Sequence, residues 1–553
     1  MTRQLTSILF YTILLCTTAL TAQTTNTSQP EYEAAKKNLD KGNFQEASKQ
    51  FDKLVQAGFP DPDIYKFRGI SRFRLGDYEA AMKDLDKVRQ NDPDAQVLGL
   101  LGICRYHAHE YEAAKYFLKK AIGEGFNEPK GHLYMGYLYL EEHQYKEALT
   151  QLSEAAIAGE NEGKLFESRG IAAFYCEEFE LAINDLQGYL KTATGSLPAF
   201  EVLGMAYAEI NEPLKALTFL KKADSLGSDN RQVYFHLGNS LSSVKRYTQA
   251  IDAYSRSIAL KYNEPEIFIN RGIARINAGF SKESIADFDK AISLSPDKSI
   301  GYRSRAIAQL KLENWAGVIT DITIANALGD IQSEDGVSLS LAKFNIKNYQ
   351  GALEDVEMAL AKGNRYYTVD GNKHSLYLQK GKCLAALKKY EEAIIAFNQA
   401  EKDEETDVEL YIQRARSWVG LHNYESALHD LGMAQKSNPK NATVFYNSAV
   451  IKEEMEDFGA AIFDYTSAIK LNSKDALAYF GRANCKARKG EMEDAVADMD
   501  EAIKLDSKNA TYYKVRANFY YQMKNKDKAC FDWRKAVEFG DEKARFFIEQ
   551  YCN

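Results

Sequence analysis

The chain has 553 residues, 45% of them hydrophobic and 27% charged, with only 10 prolines, a composition that excludes an extended disordered chain. Its 70 basic and 78 acidic residues leave a net charge of -8 with both signs interspersed, so there is no basic footprint for nucleic acid or for an anionic membrane.

The first 22 residues are a separate material. Arg3 opens them, Ile8 to Leu15 form an apolar run broken only by Thr12, and small or polar residues follow from Cys16 to Gln23. This pattern reads as a secretory signal (1–22) cleaved near Ala22, followed by a short linker over 23–27; an uncleaved N-terminal anchor is the alternative. Leu15 stands where a bacterial lipobox wants a small residue before Cys16, so lipidation is not expected. No later stretch approaches the ~18 apolar residues of a membrane span, and no integral span is expected after cleavage. The signal looks like that of an exported Gram-negative protein, which places the mature chain in the periplasm or at the outer-membrane periphery.

From residue 28 onward a small residue recurs: Ala35, Gly69, Gly102, Gly136, Gly170, Gly204, Gly238, Gly272, Ala306, Ser340, Gly381, Ala415, Ala449, Ala483 and Ala517. Twelve of the fourteen spacings are 34 residues, one is 33 and one is 41. Such a period marks a solenoid or array rather than the three or four globular domains, about one per 150 residues, that the length alone suggests. In the block from Asp63 to Gln96, helical apolar spacing runs from Ile64 to Leu75, Gly76-Asp77 makes a turn, and Tyr78 opens a second stretch carrying Ala81, Leu85 and Val88 before Pro93. The unit is therefore a helical hairpin, helix A then helix B. Neither helix has enough apolar surface to stand alone, so stability must come from stacking on neighbours.

Gly136, Tyr145, Ala148, Leu152 and Ala155, like Gly381, Tyr390, Ala393, Phe397 and Ala400, fall at the positions that mark the tetratricopeptide repeat, and the chain resembles that family over residues 28–541. The resemblance implies an all-α, right-handed superhelical solenoid of about fifteen hairpins. Ten occupy 28–362 and five occupy 375–541; residues 542–553 form a C-terminal capping helix. Small residues on helix A are expected to face alanine on helix B. The 41-residue interval places an insertion loop at 363–374, in which Arg365, Tyr366 and Tyr367 are candidate contacts, unless the loop is merely tolerated.

Seven units carry an arginine just before the small residue and an aspartate sixteen positions later: Arg68 with Asp84, Arg169 with Asp185, Arg271 with Asp287, Arg305 with Asp321, Arg414 with Asp430, Arg482 with Asp498, and Arg516 with Asp532. Where the arginine is replaced by an apolar residue the partner usually changes too, as with Leu101 and Phe117; Leu339 with Asp355 is an exception. A structural ion pair between helices A and B is expected, rather than a ladder of ligand-binding arginines.

Six cysteines remain after signal cleavage. Cys104, Cys176, Cys383 and Cys485 lie in repeats that do not adjoin and read as small buried apolar residues. Cys530 and Cys552 lie in the last repeat and the following helix, where an oxidising compartment would allow a disulfide.

Catalytic signatures are missing from the sequence: there is no GxGxxG after a strand, no Walker A loop, no HExxH and no GxSxG. His107 and His109 are two apart on one helix and do not share a face, so a metal site is not expected, and no cofactor is indicated. The resemblance implies instead a non-catalytic scaffold whose concave groove, built by helix A, holds partner proteins or peptides, with outer-membrane proteins among the candidates. Groove positions are apolar or aromatic early in the chain, including Phe73, Tyr106, Tyr137 and Phe174, and polar or basic later, including Lys382, Arg416, Asn484, Arg488, Lys514 and Asn518. Lys514 and Asn518 match the first pair of the family's carboxylate clamp, but no later repeats exist to complete it. A glycan-binding or enzyme-accessory role, using groove aromatics as stacking platforms, is the alternative.

Overall fold

Each repeat begins as a helix because its apolar residues recur at three- and four-residue steps, and each helix A stops where its backbone turns left-handed. The computed structural model describes residues 29–89, 94–193, 195–329, 331–369, 372–403 and 407–552. The expected signal and linker lie outside these. Helix A of the second repeat spans Asp63–Arg74 and helix B spans Tyr78–Arg89. Between them Gly76 has φ +81°, its N–H donating to Phe73 O and the Asp77 N–H to Arg72 O, both at 3.0 Å. This capping arrangement satisfies the last carbonyls of helix A. It recurs in repeat after repeat, but the left-handed residue is often not glycine: His109, Glu177, Lys245, Glu313, Lys388 and Lys524 have φ between 55° and 65°.

The chain divides into two units, Met1–Ala278 and Gly279–Asn553. Among the described residues, the first unit holds seven hairpins, from 29–56 to 231–259, and then the helix Pro265–Asn277. The second opens on the helix Ser281–Leu294, continues with seven hairpins from 299–327 to 510–538, and ends on the helix Ala544–Tyr551. No helix of the described residues is long and apolar enough to cross a membrane.

The small residue of helix A does not chiefly face alanine. A Cβ added to Gly136 would lie 2.5 Å from Leu152 Cγ, and one added to Gly381 would lie 2.4 Å from the Phe397 ring. The close approach thus makes room for the large helix-B side chain, while Ala148 and Ala393 are fully buried beside it. Packing runs through several successive repeats at a time: Leu98, Leu118, Leu133 and Leu152 share one apolar cluster in the first unit, and Phe397, Leu410 and Leu431 share one in the second. Cys104, Cys383 and Cys485 are buried, which pushes each thiol up to about 12, whereas Cys176 is only half-buried at the end of its helix.

The 363–374 interval departs from a plain loop. Tyr366–Val369 (β1) pairs antiparallel with Asn372–Ser375 (β2), Tyr367 opposite His374 and Thr368 opposite Lys373. The aromatic and β-branched run Tyr-Tyr-Thr-Val followed by Asp370-Gly371 is a hairpin signal, masked in the sequence by its rich content of turn residues. At the C-terminal end a disulfide joins Cys530 to Cys552, tying the helix Ala544–Tyr551 to the last hairpin. Trp533, almost fully buried, stacks on Phe547 there with ring centroids 5.5 Å apart.

Candidate partner-binding groove

The arginine–aspartate register builds the frame on which any groove side chain is held. In six repeats the guanidinium meets its aspartate side-on with two nitrogens. Arg68 Nε and Nη2 lie 2.8 and 2.7 Å from Asp84, and Arg169 makes the same pair of bonds to Asp185 at 2.6 and 2.8 Å. Arg305 with Asp321, Arg414 with Asp430, Arg482 with Asp498 and Arg516 with Asp532 repeat it at 2.6 to 2.9 Å. Arg271 and Asp287 fall in different units, and their pairing stays a sequence expectation. The aspartates are buried, so the carboxylates depend on these bonds. The Leu339 exception has its own answer: Lys343 Nζ, one helical turn on, lies 2.7 Å from Asp355 Oδ2. Burial still holds the Asp355 carboxyl above its ordinary range, with Lys343 acting against that shift.

The third guanidinium nitrogen reaches backwards. Nη1 bonds a polar side chain sixteen residues earlier, on helix B of the preceding repeat: Asp52 for Arg68 (3.0 Å), Ser255 for Arg271 (3.0 Å), Asp289 for Arg305 (2.6 Å) and Asn398 for Arg414 (2.8 Å). Thr466 answers Arg482 at 3.0 Å and Asp500 answers Arg516 at 2.5 Å. One side chain thereby closes its own hairpin and fastens it to the previous one.

Four aromatic groove candidates are drawn into this frame. Phe73 and Tyr137 are buried, at 6% and 8% exposure. Phe73 packs edge-on against Tyr78 at 5.5 Å, Tyr106 against Tyr111 at 5.6 Å, and Phe174 against Phe179 at 5.8 Å. The five-residue step from the end of helix A across the turn brings Phe73, Tyr106 and Phe174 onto the aromatic that opens helix B, while Tyr137 packs against Tyr106 and Tyr134. These rings therefore brace the turn and leave little face for a ligand. His107 stacks on Tyr78 at 3.9 Å and its Nε2 lies 3.0 Å from Tyr134 Oη; His109 bonds Tyr111 instead. Among the described residues no group of His, Cys, Asp or Glu is placed to hold a metal ion.

The later candidates divide. Lys514 pairs with Asp541, and Asn518 Oδ1 accepts the Trp533 indole N–H at 3.1 Å, so both are occupied in holding the C-terminal end. Arg416 and Arg488 are exposed and Asn484 is half-buried. Lys382 sits 3.5 Å from Glu409 and over the Phe344 ring. Of the insertion residues, Arg365 closes the hairpin's base by accepting the Leu376 N–H at 2.8 Å. Tyr366 is exposed beneath the Lys373 ammonium, 3.5 Å from the ring centroid. Tyr367 is half-buried and lies 5.4 Å from the His374 ring.

Lys382 and Tyr367 meet in one place. A cavity of about 500 Å³ in the second unit is lined by helix-A residues of four successive repeats and by the inserted hairpin. Ile307, Leu310 and Lys311 come from the first of these repeats, with Trp315 opening its helix B. Leu341 and Asn345 come from the next, Leu378, Gln379 and Lys382 from the third, and Asp407 and Glu409 from the start of the fourth. Tyr367, Thr368 and His374 form the hairpin wall. The volume suits a side chain or a small ligand rather than a folded domain. Sequence reasoning found Lys382 and Tyr367 but missed Trp315, His374 and Asp407. The signal available was their spacing from the small residue of each repeat, combined with the unrecognised hairpin.

The tetratricopeptide-repeat family matches residues 32–96, 68–127 and 448–510 by one description and 232–264 and 374–402 by another. No curated protein sequence matches the chain. Among solved structures it is similar to MamA from Desulfovibrio magneticus RS-1, at 18% identity over 30% of this chain and 93% of that one, with a TM-score of 0.29. The Cut9–Hcn1 hetero-tetramer of the APC/C is similar at 11% identity over 94% of this chain and 95% of that one, TM-score 0.31. YrrB, a TPR protein with an unusual peptide-binding site, is similar at 18% identity over 34% of this chain and 97% of that one, TM-score 0.29. From the recurring hairpin, its register of small and large residues and the family matches at several stretches, the chain carries tetratricopeptide repeats.

Proposed function

We propose that this protein is a non-catalytic scaffold that holds partner proteins or peptides, working after export in the periplasm or at the outer-membrane periphery of a Gram-negative cell. The observation that supports binding most directly is the cavity between helix-A residues and the inserted hairpin, where apolar walls carry a few polar and charged groups. Export rests on the Arg3 and Ile8–Leu15 signal pattern; outer-membrane proteins are the proposed partners. Cross-linking in intact cells followed by mass spectrometry tests both parts. Cross-links to envelope proteins that vanish when residues 366–374 are replaced by a short Gly-Ser turn support the reading. Cross-links confined to cytosolic proteins sink its location.

A glycan is the second reading, favoured by the Trp315 and Tyr367 rings beside Asn345, Gln379 and Asp407 in one cavity. Saturable binding of peptidoglycan fragments that is lost in Trp315→Ala, with no protein cross-link depending on the hairpin, selects it.

A further inference from the structure

The β1 edge of the inserted hairpin carries unpaired backbone groups, and it borders the cavity. Leu376 N–H donates to Arg365 O, so these two residues face each other as a hydrogen-bonded pair. The alternation of an antiparallel ladder then makes Tyr367 with His374, and Val369 with Asn372, the next such pairs. It follows that Tyr366 and Thr368 turn their backbone N–H and C=O away from β2, along the outer edge of β1, where no described backbone group meets them. β1 reads Tyr-Tyr-Thr-Val, uncharged and strong in β-propensity, and the Lys373 ammonium of β2 lies over the Tyr366 ring on one face of the hairpin. Neighbouring strand residues point to opposite faces, yet Tyr367 and Thr368 both line the cavity, so the cavity runs along the rim of β1 as well as beneath its face.

The cavity's charges are sorted along the repeats. Lys382 and Glu409 answer each other, whereas Lys311 and Asp407 make no ion pair among the described residues. Lys311 ends the helix Ser299–Lys311 and Asp407 precedes the helix Val408–Gly420, three repeats further on. One end is thus left cationic and the other anionic.

We propose, building on the scaffold reading, that an extended segment of a partner protein binds as a third strand on β1. An apolar side chain of that segment enters between Leu341 and Leu378, a carboxylate lies toward Lys311, and a basic side chain lies toward Asp407. Only another extended backbone has free groups at the spacing that Tyr366 and Thr368 present; a helix has already used its own. Ladder bonds supply affinity with little regard to sequence, and the cavity and the two unpaired charges supply selection and direction.

The test is selection from a random-peptide library on the full mature chain, followed by affinity measurement on two proline variants and a second selection on a charge-reversed one. Thr368→Pro removes an outward N–H and leaves the β1–β2 ladder intact. Lys373→Pro makes the same change on the opposite edge and controls for folding. The expected result is an enriched peptide with acidic and basic residues flanking an apolar one. Its affinity should fall about tenfold or more in Thr368→Pro and hold in Lys373→Pro. Selection on Lys311→Glu/Asp407→Lys should return peptides with the charge order reversed. Equal affinity in both proline variants, or equal loss in both, overturns strand addition while leaving peptide binding in place. Failure of the native chain to enrich any peptide overturns both the inference and the scaffold reading.

Discussion

Asp289 Oδ1 lies 2.6 Å from Arg305 Nη1, sixteen residues ahead of it and one repeat away, while the same arginine holds Asp321 sixteen residues behind with its other two nitrogens. A planar guanidinium is suited to this double duty because its five donors leave in fixed directions, which an ammonium cannot reproduce. The same geometry in other repeats makes arginine a joint between neighbours rather than a clamp within one hairpin.

Arg169 and Asp185 isolate the energetic role of the register, since among the described residues Asp185 pairs with no other cation. Arg169→Leu leaves a buried carboxylate unpaired and should lower stability by about 3 kcal/mol. The double variant with Asp185→Leu should recover part of that loss in a urea titration. A double variant no more stable than the single one would mean the pair is not coupled.

His236 sets a pH dependence. Burial pushes its imidazole from 6.5 down to about 4, and Glu209, 3.6 Å from its Nδ1, is pushed up by burial and by Glu177. A histidine depressed in the folded state binds fewer protons there than when unfolded. Its contribution is therefore complete above about pH 6.5 and is lost as the pH falls toward about 4. Glu209 acts oppositely, favouring the fold as it protonates. His236→Gln should flatten the loss of stability between these pH values; an unchanged slope in thermal melts across that window counts against a buried neutral ring.

The Cys530–Cys552 link closes a sequence separation of 22 residues, for which chain entropy gives roughly 3 kcal/mol. Cys552→Ser, or reduction of the native chain, should raise amide exchange in the helix Ala544–Tyr551 and shift Trp533 emission to the red, because Phe547 and Tyr551 lie against that indole. Amide exchange confined to other repeats would refute this.

Left-handed turns offer gains instead of losses. Glu313 and Lys388 hold φ of 55° and 60°, conformations costly for a side chain with a Cβ. Glu313→Gly and Lys388→Gly should each raise stability by about 0.5–1 kcal/mol, a net value after the extra freedom glycine has when unfolded. A loss of stability in both would show that the local turn is not strained.

The period, the hairpin and the forward half of the arginine register are legible in the sequence because each is a column of one residue type. The backward half is not: Asp52, Ser255, Asn398 and Thr466 share only a polar atom at the right distance. Aromatics such as Phe73 and Phe174 look like groove residues when helix A is read alone. Their rings are instead taken by Tyr78 and Phe179 across the turn, a contact that a one-helix periodicity does not contain. Lys514 and Asn518 carry the family's clamp spacing, yet Lys514 is paired with Asp541 and Asn518 accepts the Trp533 indole N–H. The β-hairpin went unread because its strands are four residues each, below the length at which alternation stands out from a turn-rich background.

At the hairpin's base, Arg365 and Leu376 are joined by a backbone bond, so the polypeptide leaves the stack of helices and rejoins it at adjacent points. What lies between them, short of Ser375, which caps the next helix through the Tyr377 N–H and bonds Asp403, is therefore a cartridge: its length and wording can change while the repeats on either side keep their register. Diversity of recognition in this protein can accumulate by exchanging that cartridge, with the framework of arginines and small residues left untouched.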